Sequence, residues 1–136
     1  MLHRKKYSTI IFSSDLLSQA NNKARFNHVA QHLQKNSILR DELQIRNVYI
    51  TNGMYKGTPE NTFVVTAELN CISIADKWNQ FIYGNLMQES YILQNEYNDI
   101  FLMCEAGTQL KARYIEKNTN KSDYVVIDGV KTYFAF

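Results

Sequence analysis

From Thr62 to Leu69 the chain alternates without a break, with Phe63, Val65, Ala67 and Leu69 on one side and Thr62, Val64, Thr66 and Glu68 on the other. Successive side chains of an extended backbone point to opposite faces, so this period of two predicts a strand with one apolar face. Such a strand is not stable alone. It needs neighbouring strands and a layer to cover it.

Neighbours are readable on both sides. Tyr7 to Phe12 reads as a strand or extended lead-in, and Gln44 to Thr51, with Ile45, Val48, Tyr49 and Ile50, reads as a strand that Asn52-Gly53 terminates. Ser90 to Leu93 and Ile100 to Cys104 form an expected hairpin about the polar turn Gln94 to Asp99. Leu110, Ala112 and Tyr114 then alternate with Gln109, Lys111 and Arg113, ahead of a polar loop from Lys117 to Ser122. Asp128-Gly129, between Tyr124 to Ile127 and Val130 to Phe134, is the dipeptide that a tight hairpin turn prefers.

Two helices supply the covering layer. Leu17, Ala20, Ala24, Phe26, Val29, Ala30 and Leu33 recur at helical spacing between Leu16 and about Lys35, with Asp15 placed to cap. Ile74, Trp78, Phe81 and Ile82 make a second stripe, opened by Ser73 and Asp76 as a capping box and closed at Gly84. Links of hairpin length, rather than regular βαβ alternation, predict an α+β fold: two helices packed on an antiparallel-rich or mixed sheet. At 136 residues the chain reads as one domain, 1–136, with residues 1–6 (including His3, Arg4, Lys5 and Lys6) as a basic end.

Composition excludes several classes of function. A net charge of +2 gives neither a long-range field toward nucleic acid nor the acidic surface of a DNA mimic. Tyr7 to Phe12 is too short for a signal-peptide core and no stretch has the length of a membrane-spanning helix, so a soluble, cytoplasmic protein is expected. Cys71 and Cys104 each sit among apolar neighbours without metal-ligand spacing, and are expected to be buried, reduced thiols. No Gly-x-Ser-x-Gly elbow and no paired His-x-Thr or His-x-Ser motif occurs, so the reading calls for no catalytic residue, metal or cofactor.

The segment Gly53 to Asn61 has the composition of a binding loop. Its glycines let backbone amides approach a ligand, Lys56 can meet a phosphate or carboxylate, and Tyr55 can stack on a ring. Glu60 and the cluster Gln88-Glu89-Ser90 stand at the ends of elements and can form a polar site if those ends meet. Lys111 and Arg113 on one strand, with nearby aromatics, complete the candidate ligand-binding set of Tyr55, Lys56, Glu60, Gln88, Glu89, Lys111 and Arg113. His28 and His32 share a helix face at i, i+4, yet lack the glutamate of His-Glu-x-x-His and read as surface residues.

The pattern Gly53-x-Tyr55-Lys56-Gly57-x-x-Glu60-x-x-Phe63-x-Val65, followed by Gln88-Glu89-Ser90, resembles small uncharacterised proteins encoded by tailed phages and prophages. The resemblance covers less than half the chain and assigns no residue a role. It implies an accessory or anti-defence factor in a bacterial host cytoplasm. The expected function is therefore a non-catalytic binding protein acting on a host or defence protein or a small nucleotide ligand, with homodimerisation through a free sheet edge. Two alternatives stand beside it: a metal-dependent enzyme using Glu60, Glu89, His28 and His32, and a nucleic-acid-binding module using the basic end with Lys111 and Arg113.

Overall fold

A computed structural model of the chain describes residues 7–16, 22–55, 58–105, 109–115, 124–127 and 129–135. Eight strands run β1 (Ser8–Ser13), β2 (Ile45–Tyr55), β3 (Thr58–Ala67), β4 (Ser90–Gln94), β5 (Ile100–Cys104), β6 (Gln109–Ile115), β7 (Tyr124–Ile127) and β8 (Val130–Ala135). The helices are α1 (Asn22–Lys35), α2 (Ser37–Glu42) and α3 (Ile72–Asn79), the last running into a π-helical turn over Gln80–Asn85. The fold is α+β, as the pattern predicts, but the sheet closes into a barrel in the order β1-β3-β2-β7-β8-β6-β5-β4, with every pair antiparallel.

The first half of the chain has its own logic. β1 lies between β3 and β4, and β3 between β1 and β2, so β1 runs parallel to β2 and β3 parallel to β4 without touching them. With α1 and α2 linking β1 to β2, and α3 linking β3 to β4, this is a split βαβ (ferredoxin-like) arrangement. Both crossovers leave their helices on one face. The remaining strands then wrap from β4 round to β2 and cover the other face.

Two apolar clusters follow from the alternation. Ile10, Phe12, Phe63, Val65 and Ala67 pack with Val29, Leu33, Trp78 and Ile82 of the helices, while Ile11, Val64 and Val125 form a separate cluster. An eight-stranded barrel has room inside for side chains or one small ligand, never for three helices, so the helices cover the outside and Ile11, Val64 and Val125 point inward. The outer cluster carries the aromatic packing. Phe26 stacks on Phe63 at 4.9 Å between ring centres, and Phe12 meets Trp78 edge-on at 5.8 Å.

Three local expectations are corrected. Asn52-Gly53 does not end β2, because the ladder with β3 continues through Asn52↔Asn61, Gly53↔Glu60, Met54↔Pro59 and Tyr55↔Thr58. The first helix ends at Lys35 as expected, and Asn36 then caps the short α2, its Oδ1 accepting from the Leu39 amide at 3.1 Å. Asp15 is followed by irregular backbone and stands seven residues before α1, so it does not cap that helix. Ser73 lies inside α3, whose N-cap is Cys71, so no Ser73–Asp76 capping box forms. Leu17, Ala20, the basic end and the loop from Lys117 to Ser122 lie outside the described residues, as does Asp128, although Ile127↔Val130 and Gly129 at φ +79° keep the predicted hairpin.

Candidate functional site

Among the described residues, three of the four buried polar side chains, Ser13, Ser14 and Thr62, lie at or beside the end of β1. Ser13 pairs with Thr62, and its Oγ accepts the Asp15 amide at 3.0 Å, which bends the chain as it leaves the sheet. Arg25 from α1 donates through Nε to the Ser14 carbonyl at 2.6 Å and through Nη2 to the Leu86 carbonyl. Gln88 Nε2 donates to the Asp15 carbonyl at 2.9 Å and to that of Leu86 at 3.3 Å. Arg25 and Gln88 thus tie the strand end to the exit of the π-helical turn, and they do so through main-chain carbonyls.

The side chains there are left differently. Ser14 Oγ, Asp15 Oδ1 and Thr62 Oγ1 are buried with no hydrogen-bond partner, and Ser14 and Thr62 are 0% and 2% exposed. Ser14 and Asp15 follow the last residue of β1, and Thr62 lies within β3 opposite Ser13. Buried polar atoms are almost always paired, so each of these is an exception. Burial raises the Asp15 pKa above the usual carboxylate value, while a hydrogen bond from the Asn61 backbone and the charge of Arg25 act in the opposite sense.

Antiparallel pairing gathers other ends beside this one. β1 and β2 finish where β3 and β4 start, so Asp15, Gly53, Glu60 and Gln88-Glu89 share one end of the barrel. Behind that end lies the inner face. Ile11, Val64 and Val125 are buried there, but the inward Tyr49, Ile92 and Ile127 are only partly buried.

The structure places the candidate residues as follows. Glu60, Gln88 and Glu89 come to the same barrel end, as the possibility of meeting element ends required, with Glu60 half-buried and Glu89 exposed. The Glu89 carbonyl accepts the Glu105 amide at 3.0 Å. The backbone of Tyr55 ends β2 opposite Thr58, and Lys56 lies outside the described residues. Lys111 and Arg113 are in β6, opposite Phe101 and Ala135. Ser14, Asp15 and Thr62 were not singled out by sequence. Ser13-Ser14-Asp15 after an apolar strand looks like the start of a helix, and Thr62 looks like an outward residue of an open sheet.

The histidines and cysteines carry less. His28 and His32 lie with rings 4.5 Å apart, but Asn36 Nδ2 donates to His32 Nδ1 at 3.1 Å while Asn36 Oδ1 is engaged by Leu39. That arrangement puts the His32 proton on Nε2 and occupies its free lone pair, which disfavours a two-histidine metal site. Among the described residues no group of three or more His, Cys, Asp or Glu is placed to hold a metal ion. Cys71 is exposed and Cys104 half-buried, so the expectation of two buried thiols is corrected: α3 begins at the surface with Cys71 as its N-cap. No helix among the described residues is long and apolar enough to cross a membrane. No protein-family model matches the chain, and no curated protein matches it.

Proposed function

We propose that the chain is a non-catalytic binding protein that admits a small ligand into its barrel through the end bearing Asp15, Thr62 and Glu60. The observation that supports this reading is the partial burial of the inner face: Tyr49, Ile92 and Ile127 pack on Ile11, Val64 and Val125 and still meet solvent. Barrels of eight strands either fill their interior with side chains or hold one small molecule there, and accessible inward residues favour the second case. A phage accessory factor directed against a host defence would use such a barrel to withhold a small signal from its receptor.

The same geometry speaks against a nucleic-acid platform. Sheets of split βαβ order that bind RNA present stacking aromatics on the face opposite their helices. Here that face holds Ile11 and Val64 at its centre and is turned inward.

The test uses N-phenyl-1-naphthylamine, a neutral dye that fluoresces on entering apolar cavities. Its emission is expected to rise with one site per chain, and Val64→Phe, which fills the interior, is expected to abolish the rise at unchanged circular dichroism. Tyr49→Ala, which enlarges the interior, is expected to keep or increase it. No uptake by either the parent or Tyr49→Ala would overturn the reading.

A further inference from the structure

The inner wall of the barrel carries an apolar belt and, beside it, a row of uncharged polar groups. Resting on the small-ligand reading above, we infer that the barrel selects an uncharged, ring-bearing molecule with a carboxamide-like edge. Its ring lies against the belt at Ile11 and Val64, and its edge bonds to the row at Thr9, Asn47 and Thr66.

The strand registers lay out both features. Tyr49, Val64, Ile11, Ile92 and Leu102 stand opposite one another across the adjacent strands β2, β3, β1, β4 and β5, and form the belt. Two residues along each strand, and so on the same face, Asn47 pairs with Thr66, Thr66 with Thr9, and Thr9 with Gln94. Directly paired residues hold their Cβ atoms about 5 Å apart, so these four polar side chains make one continuous line. Gln94 Nε2 donates to Asn98 at 3.4 Å, whereas the side chains of Thr9, Asn47 and Thr66 hydrogen-bond to none of the described residues. Asn47 is exposed and the two threonines are half-buried.

Charge is kept off this wall. Within the strands, the described side chains that alternate inward carry one charge, that of Glu60, which stands at the rim two residues beyond Thr62 and is itself partnered. Lys131 lies over the Tyr124 ring, 4.8 Å from its centre, on the side of β7 opposite the inward Val125. Arg46, at the bulge of β2, pairs with Glu68 at 2.9 Å. An ionic ligand on the belt or the row would therefore lose hydration without meeting an opposite charge, the costliest form of burial. Hydroxyl and carboxamide groups both donate and accept, so the row complements a neutral edge that does the same.

This narrows the sequence expectation of a small nucleotide. The wall suits the ring and amide edge of a free base, and its described side chains give a phosphate no counter-charge.

The experiment displaces the bound dye with phenylacetamide, phenylacetate, phenethylamine and propylbenzene, which share a ring and differ in the head. At neutral pH phenylacetamide is expected to compete about tenfold more tightly than either ion. The double variant Thr9→Val, Thr66→Val is expected to weaken phenylacetamide about tenfold, the weight of two neutral hydrogen bonds, and to leave propylbenzene unchanged. Asn47→Leu changes an exposed position, keeps the row testable if the double variant does not fold, and is expected to cost the amide about threefold. An ion that competes as tightly as the amide would overturn the assignment. So would an amide affinity left intact by every variant that folds, and either result leaves the barrel reading standing. Failure of the parent to take up the dye would remove both readings together.

Discussion

Thr62 stands directly over Gly53: a Cβ added to Gly53 would lie 2.6 Å from Thr62 Oγ1 and 3.2 Å from the Tyr124 carbonyl oxygen. Gly53 is therefore required by close packing where β2, β3 and β7 meet, and not by a turn. Gly53→Ala is expected to lower stability by about 1–3 kcal/mol, the usual cost of forcing an atom into a packed site. Thr62→Ala in that background removes the nearer clash and should restore part of the loss. Denaturant midpoints of the two single variants and the double variant check this, and strictly additive losses would refute the packing account.

That contact also shows why some of the fold was legible and some was not. The strand at Phe63, Val65 and Ala67, the helix at Val29 and Leu33, and the Asp128-Gly129 hairpin depend on local pattern, and their positions follow from sequence. Barrel closure depends on β2 meeting β7 through Gly53↔Val125 and Met54↔Tyr124, a pairing between distant segments. No local pattern announces it. Thr62 and Thr66, on the face turned into the barrel, have the same polarity as residues facing water on an open sheet, so their composition does not announce closure either. That Glu60, Gln88 and Glu89 stand at element ends is visible in sequence, whereas the orphaned oxygens of Ser14 and Asp15 appear only when their surroundings are known.

Asp15 makes stability depend on pH in an unusual direction for a carboxylate. Its pKa is raised in the fold, chiefly by burial, so the folded chain binds the proton more tightly than the unfolded chain, whose value is near 3.8. The stabilisation linked to the proton is full below that value and is lost as pH rises through the folded pKa. Asp15→Asn is expected to raise the melting temperature at neutral pH, and the gain should shrink as pH falls toward the ordinary carboxylate value. A gain that is constant across this range would show that burial of the charge is not the cause.

Asn36 does two jobs with one amide, capping α2 through Oδ1 and holding His32 through Nδ2. Asn36→Ala should cost about 1 kcal/mol, the typical value of a lost N-cap. Asn36→Asp keeps the acceptor and places negative charge at a helix N-terminus, so most of that loss should be recovered. If thermal unfolding shows Asp to be as damaging as Ala, the cap is not what Asn36 contributes.

Trp78 links the layers of the outer core. Its indole N–H donates to the Leu43 carbonyl at 2.9 Å, and the side chain is 0% exposed. Trp78→Phe removes the donor and leaves the Leu43 carbonyl short of a partner, in addition to emptying volume beside Phe12 and Phe81. A loss of about 2–4 kcal/mol in urea unfolding is expected from the two effects together. A loss below about 1 kcal/mol would mean that the surrounding rings collapse into the space and water reaches Leu43.

Tyr91 and Tyr83 couple the stability of the fold to alkaline pH. The Tyr91 hydroxyl donates to Asn79 Oδ1 at 2.6 Å and its ring lies 5.7 Å from that of Tyr83. Burial, and then the neighbouring Tyr83, push the Tyr91 phenol well above its ordinary value of 10.0. Burial pushes Tyr83 up to about 12, with Cys104 and Glu105 adding to the shift. Both phenols therefore stay protonated in the fold at a pH where the unfolded chain releases its protons. Their contribution is full below the unfolded value and is lost as pH rises through it toward the folded values. Tyr91→Phe should cost about 1 kcal/mol at neutral pH by removing the bond to Asn79, yet it should flatten the decline in stability above pH 10, because one coupled proton is gone. Urea midpoints followed from neutral to alkaline pH separate the two effects, since a loss of the hydrogen bond alone would shift the whole curve without changing its slope.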